Sequence, residues 1–489
     1  MRAAVQSVIL KTLSGVAASA LLSACAFYPP PKIDTPPAWQ ALAAAPATEF
    51  QAALVSADTP APDAQWWTQF QSSELNDLIA EAFANSHTLK AAVERVLQAE
   101  ASAKISRAAL FPSLSGGVSA TRNYREASGG GGATTTSYQG SLQAAYQVDL
   151  FGQIRDNAGA AQARLLSNIY DQQTVAITLV SNVVTTYLQT LSFRERRALA
   201  EKRIQNVRAI LEVLENQRRA GVLSDLELAQ QRSALASQEA SLPTSRLNER
   251  QSLNALAVLL GRAPEGFDIK AQSLADVSVP KVGAGIPSSL LVRRPDLRRA
   301  ESDLKAANFD VAAARAARFP SITLTGNGGS SSAALDTLFS SGTFFYSVAA
   351  SAAETIFAGG RLQGQEQLAR GRYREVLQNY RQAVLAAFSD VETALTAVRE
   401  NNLSYDFIRE AYDQAETAYR LAELRYRSGI VDFQTVLNAQ NTAFQAEESM
   451  VQSEFTRFNA VVTLAQALGG GWDGMTPEPP PLSRLSGPV

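Results

Sequence analysis

The stretch Arg293–Gly326, RRPDLRRAESDLKAANFDVAAARAARFPSITLTG, combines a long alanine-rich helical pattern, a stop at Phe319-Pro320 and an alternating strand. The same succession occurs earlier, from Leu89 to Phe111-Pro112 and on into SLSGGVSA. Sliding the chain against itself by about 208 residues aligns Leu89 with Leu297, Arg107 with Arg315 and Phe111-Pro112-Ser113 with Phe319-Pro320-Ser321. The same offset pairs Arg219 with Arg427, Gly221 with Gly429 and Leu260-Gly261 with Leu468-Gly469. A single offset over most of the chain marks a tandem duplication of one helix–strand–strand–helix unit.

The strands are two-faced. Leu114, Gly116, Val118 and Ala120 alternate with serine, glycine and threonine, and Ile322 and Leu324 do the same. Further on, Tyr138, Leu142, Ala144, Tyr146 and Val148 oppose Gln139, Ser141, Gln143, Gln147 and Asp149. Period 2 with one apolar and one polar face suits a strand between lipid and water. Each has room for the roughly 9–11 residues that cross a bilayer. The pattern predicts strands over about 113–124, 138–150, 321–328 and 343–355, with Phe344-Phe345-Tyr346 as girdle aromatics. Four strands cannot close a barrel, and each unpaired backbone group in hydrocarbon costs several kcal/mol. A membrane-spanning form must therefore be an oligomer, with about 8 strands in a dimer or about 12 in a trimer.

Beyond Phe151-Gly152 the chain reads as helix for about 65 residues, roughly 95 Å at 1.5 Å per residue. Val180, Val184, Tyr187 and Leu191 step by four, three and four, as in a coiled-coil seam. A helix of that length needs neighbours all along it. It ends at Arg219-Ala220-Gly221, where Ser224 or Asp225 caps a returning helix that Pro243 is expected to bend or break. The second copy repeats this with Phe388, Val391, Leu395 and Val398, and turns at Gly429. Charged residues flank both turns: Arg219 and Asp225 at the first, Arg425, Arg427 and Asp432 at the second. In an oligomer they would form rings that narrow a passage, a gate held by ion pairs.

Composition removes several classes. Basic and acidic residues number 44 and 46, without a basic patch for nucleic acid. One histidine, His87, and one cysteine, Cys25, leave little for a metal site or thiol chemistry. The run Gly129–Gly132 lacks the lysine and the strand–helix setting of a phosphate loop. No cofactor and no catalysis are expected.

Residues 1–24 read as a signal peptide, with Arg2 and Lys11 ahead of an apolar run. Leu22-Ser23-Ala24-Cys25 resembles a lipoprotein signal, in which Cys25 becomes the lipidated N-terminus. Ala26, where such signals would carry aspartate for inner-membrane retention, points to the outer membrane. Residues 25–62 form an extended, proline-rich tether. The predicted organisation continues with a first repeat over 63–265, a linker over 266–287, a second repeat over 288–470 and a loose tail over 471–489.

The lipid signal, Trp66-Trp67 with Phe70, Arg293-Arg294-Pro295-Asp296-Leu297 through Phe319-Pro320, Tyr426-Arg427-Ser428-Gly429 and Asn438-Ala439-Gln440 together resemble the outer membrane factors of the TolC/OprM/NodT type. The resemblance covers nearly the whole chain after Cys25. It implies a mixed α/β membrane protein: a homotrimer whose 12-stranded outer-membrane β-barrel, four strands per chain, continues into a long periplasmic α-helical barrel. The implied role is the exit duct of a tripartite efflux pump, receiving substrates through a periplasmic adaptor from an inner-membrane pump of the RND type. Where the family commonly has a tip aspartate this chain has Asn438, which makes Asp432 the expected acidic constriction. Gln139, Ser141, Gln143, Gln147 and Asp149 would then line the lumen. Two other readings fit parts of the pattern, a type I protein-secretion duct and a periplasmic coiled-coil scaffold without a pore.

Overall fold

The computed structural model describes residues 65–126, 132–221, 224–280 and 293–470. Cys25, the tether and the tail lie outside them. A 3-10 turn, Trp66–Phe70, leads into α1 (Ser73–Asn85) and α2 (His87–Ala108). Then come β1 (Ser113–Glu126), β2 (Gly132–Val148), α3 (Gln153–Arg219) and α4 (Asp225–Leu259). After a short 3-10 turn at Leu274–Asp276, the second copy gives α5 (Pro295–Ala316), β3 (Ser321–Ser332), β4 (Phe344–Ala353), α6 (Arg361–Arg427) and α7 (Phe433–Ala467). The duplication is literal at the helices. α3 and α6 both have 67 residues, α4 and α7 both have 35, and α2 and α5 both have 22.

The chain divides into two compact units. One comprises Val96–Asn168 and Arg299–Arg381, and holds the sheet. Its four strands run antiparallel in the order β1-β2-β3-β4, with both outer edges unpaired among the described residues. β2 begins earlier than the sequence suggested. Thr134, Thr135 and Thr136, expected in a loop, pair with Tyr124, Asn123 and Arg122, because β-branched threonine suits extended backbone. In the helical part, Phe309 of α5 lies over Gly159 of α3, where a Cβ would stand 2.9 Å from the ring. Phe151 stacks on Phe319 with centroids 4.8 Å apart.

The other unit comprises residues 65–95, Ile169–Arg298 and 382–470. Val180, Val183, Val184, Tyr187 and Leu191 on one side of α3, with Leu253 and Leu256 of α4, Leu260 just past its end, and Phe458, Val462 and Ala465 of α7, are buried together with an added layer. That layer is the Trp66–Phe70 turn, α1 and the segment carrying Phe267, Ile269 and Leu274. Arg194 ties the layer down. Its guanidinium donates to Glu249 Oε1 at 3.0 Å and to the carbonyls of Ile269 and Ala271, both at 2.8 Å. Glu74 accepts from the N–H groups of Lys270 and Ala271 at 2.6 and 3.0 Å.

Pro243 does not break α4, which runs unbroken from Asp225 to Leu259. A mid-helix proline costs about 3 kcal/mol. Here α4 is held along α3 by Arg246–Glu201, Arg208–Glu239 and Arg232–Glu215, and by the bond from Gln231 Nε2 to the Val207 carbonyl. Proline removes one of the many backbone bonds of this 35-residue helix, and both parts remain aligned along α3.

Candidate functional site

Register makes the sheet two-faced. Gly116, Leu142, Gly328 and Tyr346 form one row across all four strands, and Leu324 lies between Tyr146 and Ala350. Ser115, Gln143, Asn327 and Ser347 form the neighbouring row on the opposite face. Even-numbered positions are thus mostly apolar and odd-numbered ones mostly polar, without a slip from β1 to β4. Within the single chain the apolar face is bare. Val118 is 88 % exposed and Val348 83 %, in contrast to a soluble sheet, which buries that face.

Gln139, Ser141, Gln143 and Gln147 lie on the polar face. Asp149 does not belong with them. It lies beyond the end of β2, and its carboxylate accepts from the N–H groups of Ile154 and Arg155 at 3.1 and 2.9 Å, so that it caps α3. The first N–H groups of a helix have no internal partner, and a carboxylate one turn ahead satisfies them. Asn327 and Ser347 share the face; alternation with Tyr346 already marked Ser347, while Asn327 escaped the sequence reading.

At the first turn Gly221 has φ +78° and closes α3, and Gly429 with φ +72° does so for α6. Arg219 and Asp225 are not brought together. Asp225 instead takes a two-pronged ion pair from Arg218, at 2.6 and 3.1 Å, joining the end of α3 to the start of α4. Arg219 bonds the side chain of Asn216. The Arg218 guanidinium beside Asp225, first by hydrogen bonding and then by charge, holds its carboxyl below the ordinary value. Ser224, not Asp225, caps α4 and forms a capping box with Glu227.

At the second turn Asp432 caps α7. Its Oδ1 accepts from the Thr435 hydroxyl at 2.6 Å and the Thr435 N–H at 2.9 Å, which lowers its pKa. Arg427 pairs with Glu423 at 2.5 Å, one turn back on α6. Arg425 is exposed, without an ion pair among the described residues. The two turns are bound to each other through Leu214, Phe433, Val436 and Leu437, and by Gln230 donating to Gln434 at 3.0 Å. Most of the charges singled out in the sequence are therefore satisfied within the chain.

Residues 78–262 and 286–470 match the outer membrane efflux protein family, one match for each repeat. The chain belongs to this family. It is 36 % identical to the pyoverdine export outer membrane protein OpmQ of Pseudomonas putida over 451 residues, covering 91 % of this chain and 95 % of that one. Its fold is similar to that of the outer-membrane channel OprN, with a TM-score of 0.83 and 27 % identity over 90 % of this chain and 99 % of that one. The CmeC outer membrane channel of Campylobacter jejuni gives 0.80 and 26 %, over 84 % and 89 %. This outer membrane efflux protein is thus a channel of an efflux system. Its four-stranded sheet lies in the outer membrane and its helices extend into the periplasm. The secretion-duct and scaffold readings are not favoured by these likenesses.

Proposed function

We propose that three copies of this chain close a 12-stranded barrel and form the exit duct of a tripartite efflux pump, meeting a periplasmic adaptor and an RND-type inner-membrane pump. The supporting observation is the sheet. It carries one apolar and one polar face in continuous register, and both of its edges lack a partner among the described residues. Pairing the β1 edge of one copy with the β4 edge of the next removes every open edge from the hydrocarbon. The apolar face then meets lipid, and Gln139, Ser141, Gln143 and Gln147 line water with Asn327 and Ser347. Lipidation of Cys25 adds an anchor in the same membrane.

Such a passage has hydroxyls and amides but no fixed chemical demand, so cargo choice rests with the inner-membrane pump. Control rests at the helical turns. Arg218–Asp225, Arg425 and Asp432 would stand in rings around the narrow end, and a partner that competes for their bonds would open it. The duct itself performs no reaction and needs no cofactor.

Planar-bilayer conductance of purified Cys25→Ala protein tests this reading. A small conductance that rises when Asp432 becomes asparagine is expected. A protein that never conducts, with or without that change, contradicts a gated duct.

A further inference from the structure

The apolar face of the sheet is not uniform. Gly140 and Leu142 of β2 and Gly328 of β3, walled by Val118, Phe344 and Phe339 of the β3–β4 loop, line a groove of about 580 Å3. No Asp, Glu, Lys or Arg lines it. The groove is centred on the two inner strands, each paired on both sides within the chain. A neighbouring copy that pairs at an outer edge therefore leaves it open.

Glycine inside a strand weakens it, and marks a bulge, a bend or the close approach of another molecule. The first two reasons do not apply at Gly140 and Gly328. Neither has a positive φ, and the ladder passes through both without a bulge. A Cβ added to either would meet no atom closer than 3.8 Å. The fold has room for side chains on this floor, and the floor is bare.

The helices lie in the periplasm, so β1, which follows α2, has its outer end at Glu126. The β3–β4 loop stands at that outer end too. Its own bonds hold it in shape: the Thr343 hydroxyl donates to the Leu338 carbonyl and the Ser340 hydroxyl to the Thr337 carbonyl, both at 2.8 Å. Phe339 is thereby set against the groove from the outer side. Arg122 lies on the same face as Val118, four residues further out, roughly 13 Å at 3.3 Å per residue. It is the only basic residue at an even position of the four strands, is exposed and has no ion pair among the described residues.

We propose that the groove holds an acyl chain of an anionic, phosphate-bearing lipid of the outer leaflet, with its headgroup against Arg122 and the neighbouring Thr136. The inference rests on the reading of a barrel whose apolar face meets lipid. Hydrocarbon covers that face, so a chain is what enters an uncharged groove in it. The single guanidinium above the groove attracts an anionic headgroup over a zwitterionic one. The distance between them is spanned by the lipid itself, head at Arg122 and chain descending past Phe339.

Native mass spectrometry of the full-length protein, released in detergent and stripped of lipid, tests this with diphosphorylated lipid A and with phosphatidylethanolamine. The unaltered trimer is expected to retain lipid A in preference. Gly140→Leu fills the floor, keeps the face apolar and lowers that retention by about tenfold. Arg122→Gln lowers it by about fivefold and leaves phosphatidylethanolamine unchanged. Ala352→Leu, on the same face near the helical end, changes neither. Equal retention of lipid A by the unaltered, Gly140→Leu and Arg122→Gln proteins overturns the inference, and so does equal retention of the two lipids by the unaltered trimer. In both cases the trimer's mass leaves the duct standing. If Gly140→Leu does not assemble, Arg122→Gln decides alone. An unaltered protein found only as monomers overturns the barrel and the inference together.

Discussion

Gly261 is pressed against Asn85: a Cβ at Gly261 would stand 2.6 Å from the Asn85 carbonyl oxygen, and its φ is +72°. The other repeat makes the same contact between Gly469, with φ +75°, and the Arg293 carbonyl, where the distance would be 2.7 Å. Both glycines end a helix in a left-handed turn that brings it against backbone from the start of the same repeat. Gly261→Ala meets both a left-handed backbone and a carbonyl that cannot yield, and should cost about 2 kcal/mol. Thermal dissociation of the assembly measures it, with Gly266→Ala as a comparison, since φ is +71° there but no atom is within 4 Å.

Arg194 is 4 % exposed, and its bonds to Glu249, Ile269 and Ala271 hold the outer layer to α3. Arg194→Ala leaves a buried carboxylate short of one partner, although Arg197 still reaches Glu249 at 2.8 Å. The expected loss is about 3 kcal/mol. Limited proteolysis should then cut within residues 262–280 faster than in the unaltered protein.

Asp432 serves α7 as a cap as well as carrying charge, and the two roles separate by substitution. Asparagine caps as well as aspartate, while alanine costs about 1 kcal/mol. Asp432→Asn should raise conductance with helix content unchanged and a smaller fall in thermal midpoint than Asp432→Ala causes. Asp432→Ala should lower the midpoint too. Equal conductance in both variants and the unaltered protein would remove Asp432 from the gate.

Acid acts in two directions. The lowered carboxyls of Asp225 and Asp432 contribute stability that is present above the unfolded value of about 3.9 and lost as pH falls through their lower folded values. Glu454 behaves oppositely. Burial, with Glu195 nearby, raises its pKa, so its contribution is complete below about 4.3 and is lost as pH rises through the raised value. Glu454→Gln should therefore be more stable than the unaltered protein at pH 7, with the gap closing towards pH 4. Thermal scans at both values decide it.

The repeat was legible because Phe-Pro-Ser, the turn glycines and the leucine pairs recur at one offset, and the strand faces because register in a sheet has period 2. What escaped was decided by contacts distant in sequence or by neighbours one residue apart. Asp149 continues the polar alternation by name, yet the strand ends before it and the helix beyond claims its carboxylate. Arg218 and Arg219 are adjacent, and only the turn geometry sends Arg218 to Asp225. Pro243 obeys a local rule, yet the long helix on both sides of it stays continuous along α3.

The central claim is that one chain supplies a third of a closed barrel. Native mass of the full-length protein, released from the membrane in mild detergent, tests it most directly. The account predicts a single species of three chains that falls out of solution when detergent is removed. A monomer that remains soluble without detergent would contradict it, because the bare apolar face from Val118 to Val348 would then be standing in water.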